Sequence, residues 1–278
     1  MNELSYRELI TVALREDQAD FDVTSLAVVP AEAKGQAQIV AKREGVLAGL
    51  PVAAAVFAAV DPGVEWESGL TDGARLRPGL VVATIRGRLR AILAAERVAL
   101  NFLQHLSGIA TATAALVERV KDYPVKILDT RKPTPGLRAL EKYAVRVGGG
   151  ANHRLSLADM ILIKDNHIAV AGGVTAAVRR ARAAAPPFLL VEVEAENEDQ
   201  VREALAAGAD VIMLDNMSPA EMRRMVGLVA GRAKLEASGN ITPENVTEVA
   251  ATGVDYISVG YITHSAPAVD LSLEVSPL

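Results

Sequence analysis

From residue 125 onward the chain repeats one unit, a short apolar run followed by an amphipathic stretch. The runs VKILDT, MILIKD, FLLVEVEA, DVIMLDN, AKLEASG and DYISVG alternate with PGLRALEKYAVRV, VTAAVRRARAAA, NEDQVREALAAG, SPAEMRRMVGLVAG and TPENVTEVAATG. The first set has the length and branching of strands, the second the spacing of helices. Parallel strands need long crossovers, and crossover helices cover both sheet faces, so this pattern predicts a parallel α/β sheet. Periodicity leaves open whether that sheet is doubly wound or closed into a barrel. In either case the strands run the same way, and their C-terminal ends share one rim where loops can vary without disturbing the core.

The first hundred residues have another rhythm. Ser5 and Glu8 fit a capping box ahead of the stripe Leu9, Ile10, Val12 and Ala13. Residues 35–50 read as strand broken by glycines, PVAAAVFAAV as a helix opened by Pro51 and ended by Asp61-Pro62-Gly63, and GLVVATIRG as a further strand. This irregular mixture predicts an α+β domain. Residues 90–121 are strongly helical, with Gly108 as a candidate break. The closing VDLSLEV alternates with period two and reads as an antiparallel strand returning to the first domain.

Composition narrows the function classes. The chain has 278 residues and no cysteine, which excludes disulfides, thiolate metal sites and cysteine nucleophiles and fits a reducing cytoplasm. The N-terminus carries acids inside its apolar pattern, unlike a signal peptide, and no apolar run approaches the roughly 18 residues of a membrane span. A net charge of −5 and 4% aromatics argue against a nucleic-acid partner. A soluble cytoplasmic protein is expected.

Against that negative balance, Arg131, Lys132, His153, Arg154 and Lys164 crowd into a short span. An Arg-Lys pair is most often a solvated turn, but Pro133, Pro135 and Gly136 stiffen this one. Lys164 follows the apolar MILI, where a lysine needs a partner or a strand exit. His153 has the ordinary alternative of partnering a helix end after Gly148-Gly149-Gly150, and His105 reads as a packed histidine. Glu192 and Glu194 share one face of their strand, and Asp215 ends another; buried acids require cations or metal nearby. Carboxylate oxygens suit Mg²⁺, while the absence of a close histidine pair speaks against zinc. Ser238-Gly239-Asn240, ahead of a helix opened by Thr242-Pro243, and Gly260 after the last strand are candidate phosphate cradles. The residues themselves point to an enzyme handling a sugar phosphate and a polyanion. A Schiff-base aldolase using Lys164 and a non-catalytic phosphate-binding scaffold are the competing readings.

The blocks ERVALNFLQHLSGIAT, DTRKPTPGLRALEKYAVRVGGGANHR, LIKDNHI, LDNMSP, LEASGNIT and GVDYISVGYITHSAPAVDLSL, with EDQADFDVTS near the start, together resemble the quinolinate phosphoribosyltransferases. The resemblance implies an N-terminal α/β sandwich over residues 1–105, an incomplete α/β barrel of six or seven strands over 106–268, and a strand at 269–278 returning to the first domain. It implies that quinolinate and phosphoribosyl pyrophosphate, with Mg²⁺, give nicotinate mononucleotide, pyrophosphate and carbon dioxide, a step of NAD biosynthesis. Arg97, Arg131, Lys132, His153, Arg154 and Lys164 match the quinolinate pocket, and Thr130 is a further expected substrate-binding position. Glu194 and Asp215 match the contacts to ribose and magnesium, and Ser238, Gly239, Asn240, Gly260 and His264 match the phosphate region. Lys164, Glu194 and Asp215 are the implied catalytic set. Arg97 would be donated across a homodimer, with assembly into hexamers left open. Nicotinate-specific and molybdenum-transport-linked relatives share much of this pattern, but the full set of basic positions disfavours both. One departure is Pro133, where the family commonly has threonine; proline removes an N–H donor there.

Overall fold

The computed structural model describes residues 6–277. Ser5 of the expected capping box lies outside the described residues; Tyr6 takes the N-cap position of the first helix without a side-chain capping bond. The first elements in chain order are α1 (Arg7–Glu16), α2 (Val23–Val28), β1 (Lys34–Ala41), β2 (Gly45–Val46), α3 (Leu50–Val60), β3 (Glu65–Glu67), β4 (Arg75–Leu76), β5 (Val81–Arg88) and α4 (Leu89–Arg119). Then come β6 (Lys126–Leu128), α5 (Arg138–Val147), β7 (Ile161–Ile163), α6 (Asp165–Ala171), α7 (Val174–Ala184), β8 (Val191–Ala195), α8 (Glu198–Ala207) and β9 (Val211–Asp215). The chain closes with α9 (Pro219–Val229), β10 (Lys234–Ser238), α10 (Val246–Ala250), β11 (Tyr256–Ser258), α11 (Tyr261–His264) and β12 (Leu271–Pro277). No helix among the described residues is long and apolar enough to cross a membrane.

Packing divides the chain into two compact units, one of residues 1–114, 133–149 and 262–278, the other of 115–132 and 150–261. These do not follow linear cuts at 105 and 268. The helix α5, which the βα rhythm places in the parallel sheet, belongs to the first unit because its polar side chains find their partners there. The fully buried Glu141 meets His105 Nε2 at 2.8 Å, and Tyr143 donates to Asp72 Oδ2 at 2.6 Å.

In the first unit an antiparallel sheet runs β12-β1-β5-β3, so the last strand pairs along nearly the whole of β1. Its core holds Ile39, Ile85, Val56, Phe57, Leu103 and Leu106, all essentially inaccessible to solvent. Gly108 does not break α4. Its bare Cα instead admits another backbone, since a Cβ built there would sit 2.3 Å from the Pro267 carbonyl oxygen.

The second unit settles the open topology. Its six parallel strands are ordered β6-β11-β10-β9-β8-β7. Each strand from β7 to β11 neighbours the next in sequence, and β6, the first, pairs with β11, the last. A doubly wound sheet starts in the middle and builds outward both ways; one-way winding that returns to its first strand is a barrel. A single parallel bridge, Leu128 to Ala151, marks the seventh position, and no described pairing joins Ala151 to β7. The barrel is therefore incomplete. Strand β8 starts at Val191 rather than Phe188, which is 98% exposed beyond the Pro186-Pro187 turn. The helix expected from Thr242-Pro243 begins only at Val246, because Asn245 Oδ1 captures the Thr242 N–H in a preceding turn.

Candidate active site

Every strand of the barrel delivers a polar group to its C-terminal rim. Arg131 and Lys132 follow β6, Lys164 follows β7, Glu194 and Asp215 close β8 and β9, Ser238-Gly239-Asn240 end β10, and Gly260 follows β11. Arg131 and Arg154 are close enough to interact: burial holds the Arg154 guanidinium below its usual range, and the Arg131 charge pushes the same way, with Glu192 and Asp159 opposing. Arg154 Nη1 donates to the Met160 carbonyl at 3.1 Å, which fixes the fork. Arg154 is thus part-desolvated beside a second cation, a state that an anion relieves.

Lys164 is paired, as its place after an apolar run demands. Its Nζ lies 3.0 and 3.3 Å from the two oxygens of Glu194. An ion-paired lysine with 45% of its side chain exposed is the reverse of the desolvated amine a Schiff base needs. Asp215 accepts from its neighbour, Asn216 Nδ2, at 2.7 Å.

His153 is not a helix-end partner. Its backbone N–H donates to Asp129 Oδ1 at 2.9 Å, and its ring, 8% exposed, points into the barrel. Nδ1 accepts from the Arg154 N–H at 2.7 Å, which puts the proton on Nε2; that atom lies 3.0 Å from Glu192 Oε2 and 3.5 Å from Glu236 Oε2. Both acids are buried, and both oxygens of Glu192 and Oε1 of Glu236 have no hydrogen-bond partner. Burial first, then the Glu192 charge, pushes the Glu236 carboxyl up to about 8, against the pull of His153. Two carboxylates sharing one imidazole in a dry interior require a proton or a further cation. Among the described residues this trio is the group whose ligand atoms meet within 4.8 Å, a span a metal ion could bridge.

Glu192 and Glu194 therefore share a strand face but not a role: Glu192 lies deep beside His153, and Glu194 lies at the rim beside Lys164. Glu236 and Asp129 were not among the expected site residues. Glu236 carries the same signal as Glu192, an acid inside an apolar strand, and Asp129 is fully buried at a strand end, accepting from the Asn152 amide at 2.5 Å. At the glycine turn Gly239 has φ +93° and Asn240 φ +52°, conformations that turn backbone sharply after the strand. Thr130 Oγ1 accepts from the Lys132 N–H at 3.1 Å, and after Pro133 the next N–H, of Thr134, donates to Glu141 Oε2 at 3.1 Å. Arg97 and His264 belong to the first unit. Arg97 is exposed on α4, with Glu96 3.9 Å away, and His264 Nδ1 lies 2.6 Å from Ser265 Oγ.

A one-way-wound incomplete barrel, with clustered arginines, a lysine–glutamate pair and a left-handed glycine turn on one rim, defines an α/β-barrel enzyme for anionic substrates. The chain belongs to the quinolinate phosphoribosyltransferase family. Residues 22–107 match the model of its N-terminal domain and residues 109–274 that of its C-terminal domain. A Bacillus subtilis protein named probable nicotinate-nucleotide pyrophosphorylase [carboxylating] is 47% identical over 99% of this chain and 95% of its own length. Quinolinate phosphoribosyltransferase [decarboxylating] 1b of Nicotiana tabacum is 41% identical over 96% of this chain and 81% of its own. The crystal structure of NadC from Streptococcus pyogenes superposes with a TM-score of 0.96 at 46% identity, covering 100% of this chain and 99% of that one.

Proposed function

We propose that this chain transfers the phosphoribosyl group of phosphoribosyl pyrophosphate to quinolinate with loss of one carboxylate, giving nicotinate mononucleotide, pyrophosphate and carbon dioxide. The observation that carries the reading is the part-buried Arg154, repelled by the exposed Arg131, on the same rim as the Lys164–Glu194 ion pair. Quinolinate presents two adjacent carboxylates, and two guanidinium forks can grip them with defined geometry. Lys132 and Lys164 add charge, and His153, whose two ring nitrogens are engaged, supports this site by holding Arg154 from behind.

As the pyridine nitrogen attacks C1 of the ribose, positive charge develops on the sugar. Glu194 and Asp215 stabilise it from the rim, and their carboxylates orient the ribose hydroxyls. Both also offer the hard oxygen donors that suit Mg²⁺, and neither forms a closed protein cage with a third ligand among the described residues, as befits an ion that keeps phosphate and water in its shell. Bound there, Mg²⁺ would neutralise charge on the departing pyrophosphate. Ser238, Gly239, Asn240, Gly260 and His264 are assigned to the phosphate through backbone N–H groups and polar side chains. Once the ring nitrogen carries positive charge, it stabilises the carbanion left when the adjacent carboxylate departs as carbon dioxide, and that carbon then takes a proton from water to give the mononucleotide. We assign Arg97, exposed on its helix, to the neighbouring pocket of a homodimer, and the cysteine-free chain to the cytoplasm.

Calorimetric titration tests the dianion site directly. Quinolinate should bind at least about tenfold tighter than nicotinate, the worth of one charge-assisted contact. Equal affinity for the two acids would sink the reading.

A further inference from the structure

Asn216 is absent from every role assigned above, yet it touches both halves of the phosphate-binding rim. Its Nδ2 donates to Asp215 Oδ2 at 2.7 Å, while its Oδ1 accepts from Asn240 Nδ2 at 3.1 Å. Its backbone N–H donates to the Ser238 carbonyl at 2.9 Å. Asn240 is held in turn: its carbonyl accepts from Asn245 Nδ2 at 2.8 Å, and Asn245 Oδ1 accepts from the Thr242 N–H at 2.8 Å. An unbroken chain of polar contacts therefore runs from the acid at the end of β9 to the turn after β10.

Backbone geometry fits the same purpose. Asn216 has φ +53°, a left-handed conformation that asparagine tolerates better than other non-glycine residues. It turns the side chain back over the rim instead of onward into α9. A Cβ at Gly239 would stand 2.1 Å from Asn216 Oδ1, so the glycine is required by the asparagine as well as by its own φ. One of the two N–H donors of the Asn240 amide goes to Asn216, which fixes the direction of the other and of the backbone N–H groups of this turn.

Resting on the functional reading above, we propose that Asn216 is a positioning residue for the phosphoribosyl pyrophosphate half of the site. It fixes the Asp215 carboxylate toward ribose and Mg²⁺ and sets the Ser238-Gly239-Asn240 turn at the distance the phosphate needs. Both of these side-chain contacts are solvent-exposed in the free protein, where such hydrogen bonds add little to stability. Once a ligand covers the rim the same bonds are desolvated and matter more. A positioning role thus separates from a structural one: binding changes while melting does not.

The test uses two variants of the full chain. N216G keeps the left-handed backbone and removes the clasp. N216D keeps the shape but sets a second carboxylate against Asp215. Binding of phosphoribosyl pyrophosphate with Mg²⁺ is measured by calorimetry without the acceptor acid, so that no turnover is involved, and quinolinate binding is measured separately. N216G should weaken phosphoribosyl pyrophosphate about tenfold and N216D about a hundredfold, with the half-saturating Mg²⁺ concentration rising in step. Quinolinate affinity and melting temperature should stay near those of the parent. Parent-like affinity in both variants would overturn the assignment while leaving the functional reading intact, as would equal losses for both ligands with a fall in melting temperature. A parent protein that binds no phosphoribosyl pyrophosphate would remove the functional reading and this inference together.

Discussion

Lys164, directly after β7, holds its Nζ 3.0 Å from Oε2 of Glu194 on the adjacent parallel strand β8, so the rim's exposed lysine is coupled to an acid assigned to the ribose. The side chains are 45% and 14% exposed. A pair that reaches solvent this far contributes little to stability, on the order of 0–1 kcal/mol. In the proposed function its value lies in binding: the lysine faces an incoming anion without leaving the acid uncompensated. Lys164→Met should therefore lower kcat/KM by roughly a hundredfold, the scale of one or two charge-assisted contacts, with melting almost unmoved. Steady-state kinetics beside a thermal melt checks this, and full activity in the variant would remove Lys164 from the mechanism.

Arg154 is the second case. Its Nη1 is tied to the Met160 carbonyl, and its backbone N–H to the His153 ring. Arg154→Lys keeps the charge and loses the fork, so the KM for quinolinate should rise about ten- to a hundredfold, with a much smaller change in the KM for phosphoribosyl pyrophosphate. Equal rises for both substrates would mean that Arg154 does not read the acid.

Much of this was legible in the sequence, for reasons that particular residues make plain. The six strands were visible because parallel strands buried on both faces must be apolar throughout, and the rim followed from their common direction. Periodicity alone did not show the barrel, since the pairing of β6 with β11 is a contact between distant strands that no local pattern encodes; the incomplete barrel was expected from the family resemblance only. The short α6 was missed because Asp165–Ala171 follows directly on β7, with no loop to separate the two signals. Glu236 was passed over although its strand, KLEAS, shows the same buried acid as VEVEA; only the structure brings it to His153. The assignment of α5 to the first unit was hidden for a similar reason: Glu141 and Tyr143 look like ordinary helix residues until His105 and Asp72 meet them.

The buried acids give a pH prediction. Glu236 is held protonated up to about 8, above its usual 4.5, by burial and by Glu192. A group whose folded value is raised contributes stability that is full below about 4.5 and is lost as pH climbs toward about 8, because the unfolded chain releases the proton first. Glu236→Gln, which keeps the shape and cannot ionise, should lose less stability than the parent over that rise, with a difference on the order of a few kcal/mol at its upper end. Denaturant unfolding at pH 5 and pH 8.5 measures it. Parallel pH profiles for parent and variant would show that Glu236 does not titrate in this window.

Gly108 offers a test of packing alone. A Cβ there would press on the Pro267 carbonyl at 2.3 Å, and backbone cannot swing aside as a side-chain tip can. Although alanine favours helix, Gly108→Ala should destabilise by about 1–3 kcal/mol, the range of an overpacked site. A raised melting temperature would mean that helix propensity outweighs the close approach.

The central claim is that the rim's clustered cations hold an acid with two carboxylates while the ribose is transferred to its ring nitrogen. The direct measurement is a stoichiometry: protein, Mg²⁺, phosphoribosyl pyrophosphate and quinolinate labelled in the carboxylate next to the nitrogen, followed for released carbon dioxide and mononucleotide together. The account predicts one carbon dioxide for each mononucleotide, with neither formed when either substrate is omitted. Mononucleotide made from nicotinate as readily as from quinolinate, or no labelled carbon dioxide at all, would contradict it.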